Sequence, residues 1–122
     1  MICKVFVCPA YERAAPDVTS LFGRKIYLLN DDLDPSPLNQ VSPFGYPEGP
    51  DGPIMPLRYT SLDNFVPRSQ IYALTDVDQS FPGLNPSVSW WTDLPNKPAH
   101  GAVRNQLFFD WHAQAVKWDL QR

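Results

Sequence analysis

Two histidines and four aspartates carry most of the chemistry open to this 122-residue chain. His100 and His112 flank an aromatic stretch, Phe108-Phe109-Asp110-Trp111, and either imidazole suits a base or a metal ligand. Asp76, Asp78, Asp93 and Asp110 fall near the ends of expected strands. Two or three of these carboxylates, above all Asp76, Asp78 and Asp110, converging with backbone carbonyls would offer Ca²⁺ the roughly six to eight oxygens it takes. Their spacing does not match an EF-hand loop. The competing role for the same residues is to cap turns by accepting backbone N–H bonds. Nucleophilic catalysis finds less to work with. No Ser or Cys sits in a nucleophile elbow, and no HExxH, Gly-rich phosphate loop or paired-cysteine motif is present. A His followed by Gly near a strand start, as in His100-Gly101, suits a structural hydrogen-bonder. The chain is therefore expected not to be an enzyme, and no cofactor is expected beyond that candidate Ca²⁺.

Trp90, Trp91, Trp111 and Trp118 could build a stacking platform for sugars, with Trp111 the one expected to be most exposed. Large aromatic residues also fill small cores and interfaces, so that role stays open beside the first. Cys3 and Cys8 are the only cysteines. They could close a small disulfide loop or remain two thiols. A zinc site needs about four ligands, and neither cysteine has a neighbouring His in the sequence.

Bulk properties narrow the classes. The formal net charge is -3 and no basic stripe is visible, which argues against nucleic acid as the main partner. Hydrophobic residues make up 43%, enough for one domain with a modest core. No run approaches the roughly 18 apolar residues of a membrane span. Met1 to Val5 lacks the basic start, apolar core and cleavage site of a signal peptide.

The elements that must position these residues follow from local pattern. β-branched and aromatic enrichment between turn residues predicts strands over Lys4–Cys8, Lys25–Leu29, Gln70–Thr75, Gln106–Phe109 and Ala113–Trp118. The last two should form a hairpin around Asp110-Trp111-His112. Pro9 is expected to end the first strand. Short helical turns are expected at Tyr11–Ala15, at Val18–Phe22 after the cap Asp17, and from Ser61 through Phe65. Leu57–Thr60 reads as a short extended piece. The 14 prolines leave little room for long helices, and seven of them lie between Asp31 and Pro56. There Phe44 and Tyr46 are expected to pin a long loop to the body. The fold class expected is α+β, mainly β: a small antiparallel sheet with long Pro-rich loops and short helical turns, forming one domain over residues 1–122.

The C-terminal stretch resembles a known family. Nine residues separate His100 from Asp110, with Asn105 and the aromatic pair Phe108-Phe109 among them. This is similar to the prepilin-like (pseudopilin) family marked by a His, nine residues, then Asp-Gly. Trp111 stands where that family has Gly, and His112 follows as it often does there. Val5-Phe6-Val7-Cys8-Pro9 looks like the family's post-helix strand, and Ile71 to Asp76 like its strand ending in Asp. The Pro-rich loops have no counterpart. The resemblance implies a structural subunit of a type II secretion or type IV pilus-related apparatus. It implies other pseudopilin subunits or secretion-apparatus proteins as partners, and a place in the periplasm or cell envelope. Family members begin with a cleaved leader and a long apolar helix, so the chain reads as the soluble head without that helix. His100, Asn105, Phe109, Asp110 and Asp76 are the motif residues it points to, with His100 expected to hydrogen-bond Asp76 and Asp110. The alternative is a carbohydrate- or cell-surface-binding β-domain that uses Trp90, Trp91 and Trp111.

Overall fold

Alternating side chains decide how the sheet is built. In the computed structural model, which describes residues 8–14, 27–31, 33, 41–46 and 52–118, four strands form one antiparallel sheet in the order β1-β2-β3-β4. These are β1 (Tyr27–Leu29), β2 (Tyr72–Asp76), β3 (Val103–Phe108) and β4 (Ala113–Lys117). The antiparallel sheet with few short helices is the mostly-β arrangement expected. On β3, Arg104, Gln106 and Phe108 are buried while Val103, Asn105 and Leu107 are more open, the period of two that a strand with one covered face must show. No helix among the described residues is long and apolar enough to cross a membrane.

Several boundaries differ from the expectation. β2 starts at Tyr72 because Arg68–Gln70 form a single 3₁₀ turn after Pro67, and it runs on through Asp76. β3 begins at Val103, three residues earlier than expected, because Asn105 and Arg104 are carried into the ladder by their neighbours. Of the expected extended piece Leu57–Thr60, Arg58 is extended but Tyr59 and Thr60 are helical. A 3₁₀ helix spans Tyr59–Asn64, with no side-chain cap at Arg58, so Ser61 sits inside it rather than capping it. Pro9 opens a helix, α1 (Pro9–Ala14), instead of only closing a strand. The missing N–H of proline costs nothing in a first helical turn, and its fixed φ is already helical. The expected strand residues 4–7 and 25–26, and the turn over Val18–Phe22, lie outside the described residues.

The chain divides into two compact units. The first comprises residues 1–28, 75–106 and 114–122, the second residues 29–74 and 107–113. The second unit has a conventional apolar core of Leu33, Leu62, Ile71, Ala73 and Phe109, with Val41, Leu57 and Val66 packed against it. Its Pro-rich loop is tied down as expected at Phe44, whose ring stacks on Phe109 at 5.7 Å. Tyr46 is held differently, by a two-way backbone bridge to Ile54, with its side chain left exposed. Gly45 makes that bridge feasible. It takes φ +73°, and a Cβ there would lie 2.5 Å from the Ile54 carbonyl oxygen.

The first unit buries Tyr11, Val77 and Leu94, but also Thr75, Asp76, Asp78, Arg104 and Gln106. Among the described residues, its interior is therefore largely polar. The Gln106 amide donates to Thr75 Oγ1 at 3.2 Å, and the Tyr11 hydroxyl donates to the Asp93 carbonyl.

Candidate functional site

The aspartates named from the sequence separate into three settings. Asp76, at the end of β2, is 7% exposed, and its Oδ2 accepts the Asn105 backbone N–H at 2.8 Å. The same oxygen lies 3.5 Å from His100 Nε2. Two of the motif residues, His100 and Asn105, thus converge on Asp76. The Cys8 sulfur sits 3.4 Å from that same His100 nitrogen. A Cys–His–acid relay needs the thiol on one ring nitrogen and the carboxylate on the other. Here both approach Nε2, so the geometry of these three groups is not that of such a relay. Tyr27 faces this group. Burial pushes its hydroxyl pKa up first, and the nearby Cys8 and Asp76 add to the rise. Cys3 lies outside the described residues.

Asp78 is committed elsewhere. Arg104 Nε donates to Asp78 Oδ2 at 2.7 Å and the guanidinium reaches Oδ1 at 3.0 Å, a bidentate pair. Arg104 is 0% exposed and Asp78 0%. Ser80 completes the set: its N–H and hydroxyl donate to Asp78 Oδ1, and its Oγ accepts from Arg104 at 3.0 Å. The Phe81 ring lies 5.1 Å from the guanidinium carbon, within cation–π range. Among the described residues, no three carboxylate, imidazole or thiol groups gather as a cation site would need.

Arg104 is the residue that sequence reading missed. The available signal was parity: it stands two positions before Gln106 and four before Phe108, on the face those residues bury. A charge at such a position demands a buried partner, and only the fold brings Asp78 to it.

Asp110 belongs to the second unit and takes its partner from its own turn. Its Oδ1 accepts the His112 backbone N–H at 3.2 Å and meets His112 Nδ1. Desolvation raises its pKa, but the hydrogen bonds and charge of His112 together outweigh that and hold the carboxyl below its ordinary value. His112 in turn stacks on Phe108 with ring centroids 4.4 Å apart.

The turn itself is built as a three-residue hairpin loop. The Trp111 N–H donates to the Phe108 carbonyl at 3.0 Å, and the Phe108 N–H donates to the His112 carbonyl at 2.9 Å. Such loops place a residue of left-handed backbone last, usually Gly. That residue is Trp111, at φ +71°, the only non-glycine with positive φ among the described residues. A bulky residue there is strained by about 1–3 kcal/mol, and the Trp111 side chain is nevertheless 69% exposed.

Trp111 forms one wall of an apolar cleft of about 240 Å³ shared with Pro43, Phe44, Pro56, Tyr59 and Phe109. Tyr59 stacks on Trp111 with centroids 6.1 Å apart and planes 16° from parallel. Two further contacts fix Tyr59, one of them braced by a third residue. Its hydroxyl donates to the Phe109 carbonyl, the Arg68 guanidinium lies 4.5 Å over its ring, and Arg68 is itself held by Asp63 at 2.8 Å. Phe44, Tyr46, Ile54 and Met55 add exposed apolar surface in the same unit. Trp90 and Trp91 are half-buried in the first unit, where the Trp91 carbonyl accepts from Gln79. The expected grouping of Trp90 and Trp91 with Trp111 therefore divides between the two units.

No protein-family model matches the chain, and neither does any curated protein or solved structure.

Proposed function

We propose that the protein is a structural subunit of pseudopilin type, working in a type II secretion or type IV pilus-related apparatus of the cell envelope. The observation that carries this reading is the backbone at Trp111. The motif that the C-terminal stretch resembles has Gly after its Asp, and position 111 takes the left-handed φ that Gly serves. The convergence of His100 and Asn105 on Asp76 supports the same reading, since it gives a physical reason for a His at fixed distance before the turn. In this role the chain is an assembly component with no turnover of its own. Its partners are other pseudopilin subunits or secretion-apparatus proteins.

Cross-linking in the producing cells, followed by mass spectrometry of the captured species, tests this. Other prepilin-like subunits should be recovered with the chain. Recovery of none from an envelope fraction rich in the chain rejects the reading. The purified head should also give particles, not ordered fibres, under the electron microscope.

A second reading rests on a different observation, the pairing of exposed Trp111 with a fixed Tyr59 beside the cleft. Aromatic faces with a nearby carboxylate and imidazole suit a sugar, and Asp110 and His112 supply both. Titration of a panel of oligosaccharides against intrinsic tryptophan fluorescence decides it. Binding lost in Trp111→Ala supports the carbohydrate-binding domain, and a flat response across the panel removes it.

A further inference from the structure

Among the described residues, nothing pairs with the outer edge of β4, where the sheet order ends. Ala113, Gln114, Ala115 and Lys117 are exposed and Val116 is half-buried, so neither face of the strand is fully covered. The backbone direction follows from the hairpin register. Phe108 bonds His112 at the turn, and the Trp118 N–H donates to the Ala102 carbonyl at 3.1 Å at the other end. Both bonds belong to one register, so no bulge interrupts the ladder. Alternation in an antiparallel pair then turns the N–H and C=O groups of Gln114 and Val116 toward β3. Those of Ala113, Ala115 and Lys117 point outward.

Proteins normally guard such an edge with proline, inward charges, a bulge or a covering loop. The sequence Ala-Gln-Ala-Val-Lys has no proline and only one charge, at its end. Ala113 and Ala115 offer no bulk to keep another backbone away. The outward groups are also self-complementary. If a second β4 runs antiparallel with Ala115 opposite its own counterpart, Ala113 meets Lys117 of the other copy. Every outward-facing residue then pairs with an outward-facing residue. Val116 on β4 and Trp118 just after it, half-exposed apolar side chains, gain cover from the neighbouring strand.

We propose that the outer edge of β4 pairs with the same edge of a second copy of this chain, about a two-fold axis at Ala115, joining two four-stranded sheets into one. The proposal does not depend on the pseudopilin reading.

Sedimentation equilibrium of the full chain over a range of concentrations reads it directly, and a monomer–dimer equilibrium is expected. Ala115→Pro removes an N–H that points away from β3, so the hairpin should survive while the dimer dissociation constant rises by about tenfold or more. Circular dichroism checks the fold. Two charge variants test the register without using proline. Ala113→Glu places a carboxylate opposite Lys117 of the other copy and should tighten the dimer by about threefold, whereas Ala113→Lys should weaken it by a similar factor. A chain that stays monomeric at every concentration overturns the proposal. So does a dimer indifferent to Ala115→Pro in a folded variant, or one that responds alike to both charge variants.

Discussion

The two units bury different things. The second is held by aliphatic and aromatic side chains around Leu62, Ile71 and Phe109, and leaves Phe44, Tyr46, Tyr59, Phe65 and Trp111 exposed. The first encloses a paired arginine and aspartate, a glutamine, a threonine and a second aspartate. An apolar core gains from every methylene it removes from water and tolerates modest changes of shape. A polar interior is stable only while each donor and acceptor keeps its partner. The first unit is therefore the more brittle to single substitutions, and the second the better placed to spare surface for contacts.

The largest effect expected is at Arg104. Arg104→Ala leaves Asp78 buried without its counter-charge and should cost about 3–5 kcal/mol in urea unfolding. Replacing both partners, Arg104→Met with Asp78→Leu, should recover most of that loss. A double variant no better than the single one would break the contrast, because the pair would then matter for packing and not for charge.

Leu62→Ala probes the other side. Leu62 is 3% exposed within the apolar core, and its truncation should cost about 3 kcal/mol through lost transfer energy and the residual cavity. Leu62→Met should cost under about 1.5 kcal/mol, since volume is conserved. An equal penalty for both would show that this core is as exacting as the polar one.

A smaller effect separates strain from contact at the hairpin. Trp111→Gly and Trp111→Ala both lose the stacking on Tyr59, but only Gly relieves the positive φ. Gly should be the more stable of the two by about 1 kcal/mol in thermal or chemical unfolding. Equal stabilities would mean that the turn relaxes without strain. His100→Ala should cost about 1 kcal/mol, because Asp76 keeps the Asn105 N–H, and the melting temperature should not respond to chelator.

The last effect is confined to alkaline pH. Burial, with a smaller push from Asp31, raises the Tyr72 hydroxyl from 10.0 to about 12. The folded state therefore holds this proton more tightly than the unfolded chain does. The associated stability is complete below pH 10 and drains away as pH rises toward 12. Tyr72→Phe should flatten this limb of the stability–pH curve, and a limb unchanged in the variant would assign it to other groups.

Local pattern was sufficient for much of the sheet. Tyr27–Leu29, the body of β2, the end of β3 and β4 are β-rich runs between turn residues, and short-range sterics alone favour extended backbone there. The hairpin was equally legible, because Asp110-Trp111-His112 is a tight polar break between two such runs. The tension at Trp111 could be foreseen from its place where Gly is usual. Helix starts were harder. Pro9 reads as a strand stop or a helix start with the same local sterics, and only packing of Tyr11 into the interior selects the second.

What the chain's own order could not disclose is which distant groups meet. Arg104 and Asp78 are 26 residues apart, and His100 and Cys8 are 92 apart. Aspartates at strand ends look alike in sequence, since each can cap a turn, pair with a base or bind a cation. Asp76, Asp78 and Asp110 took three different partners because strand order and register decide which donors lie within hydrogen-bond reach. Exposure was decided the same way. Trp90, Trp91 and Trp111 carry the same side chain, and the left-handed turn that holds Trp111 out while the others are half-buried is a property of the closed hairpin, not of tryptophan. Periodicity is written in neighbours along the chain, whereas desolvation and pairing depend on neighbours in space, and only the folded sheet supplies those.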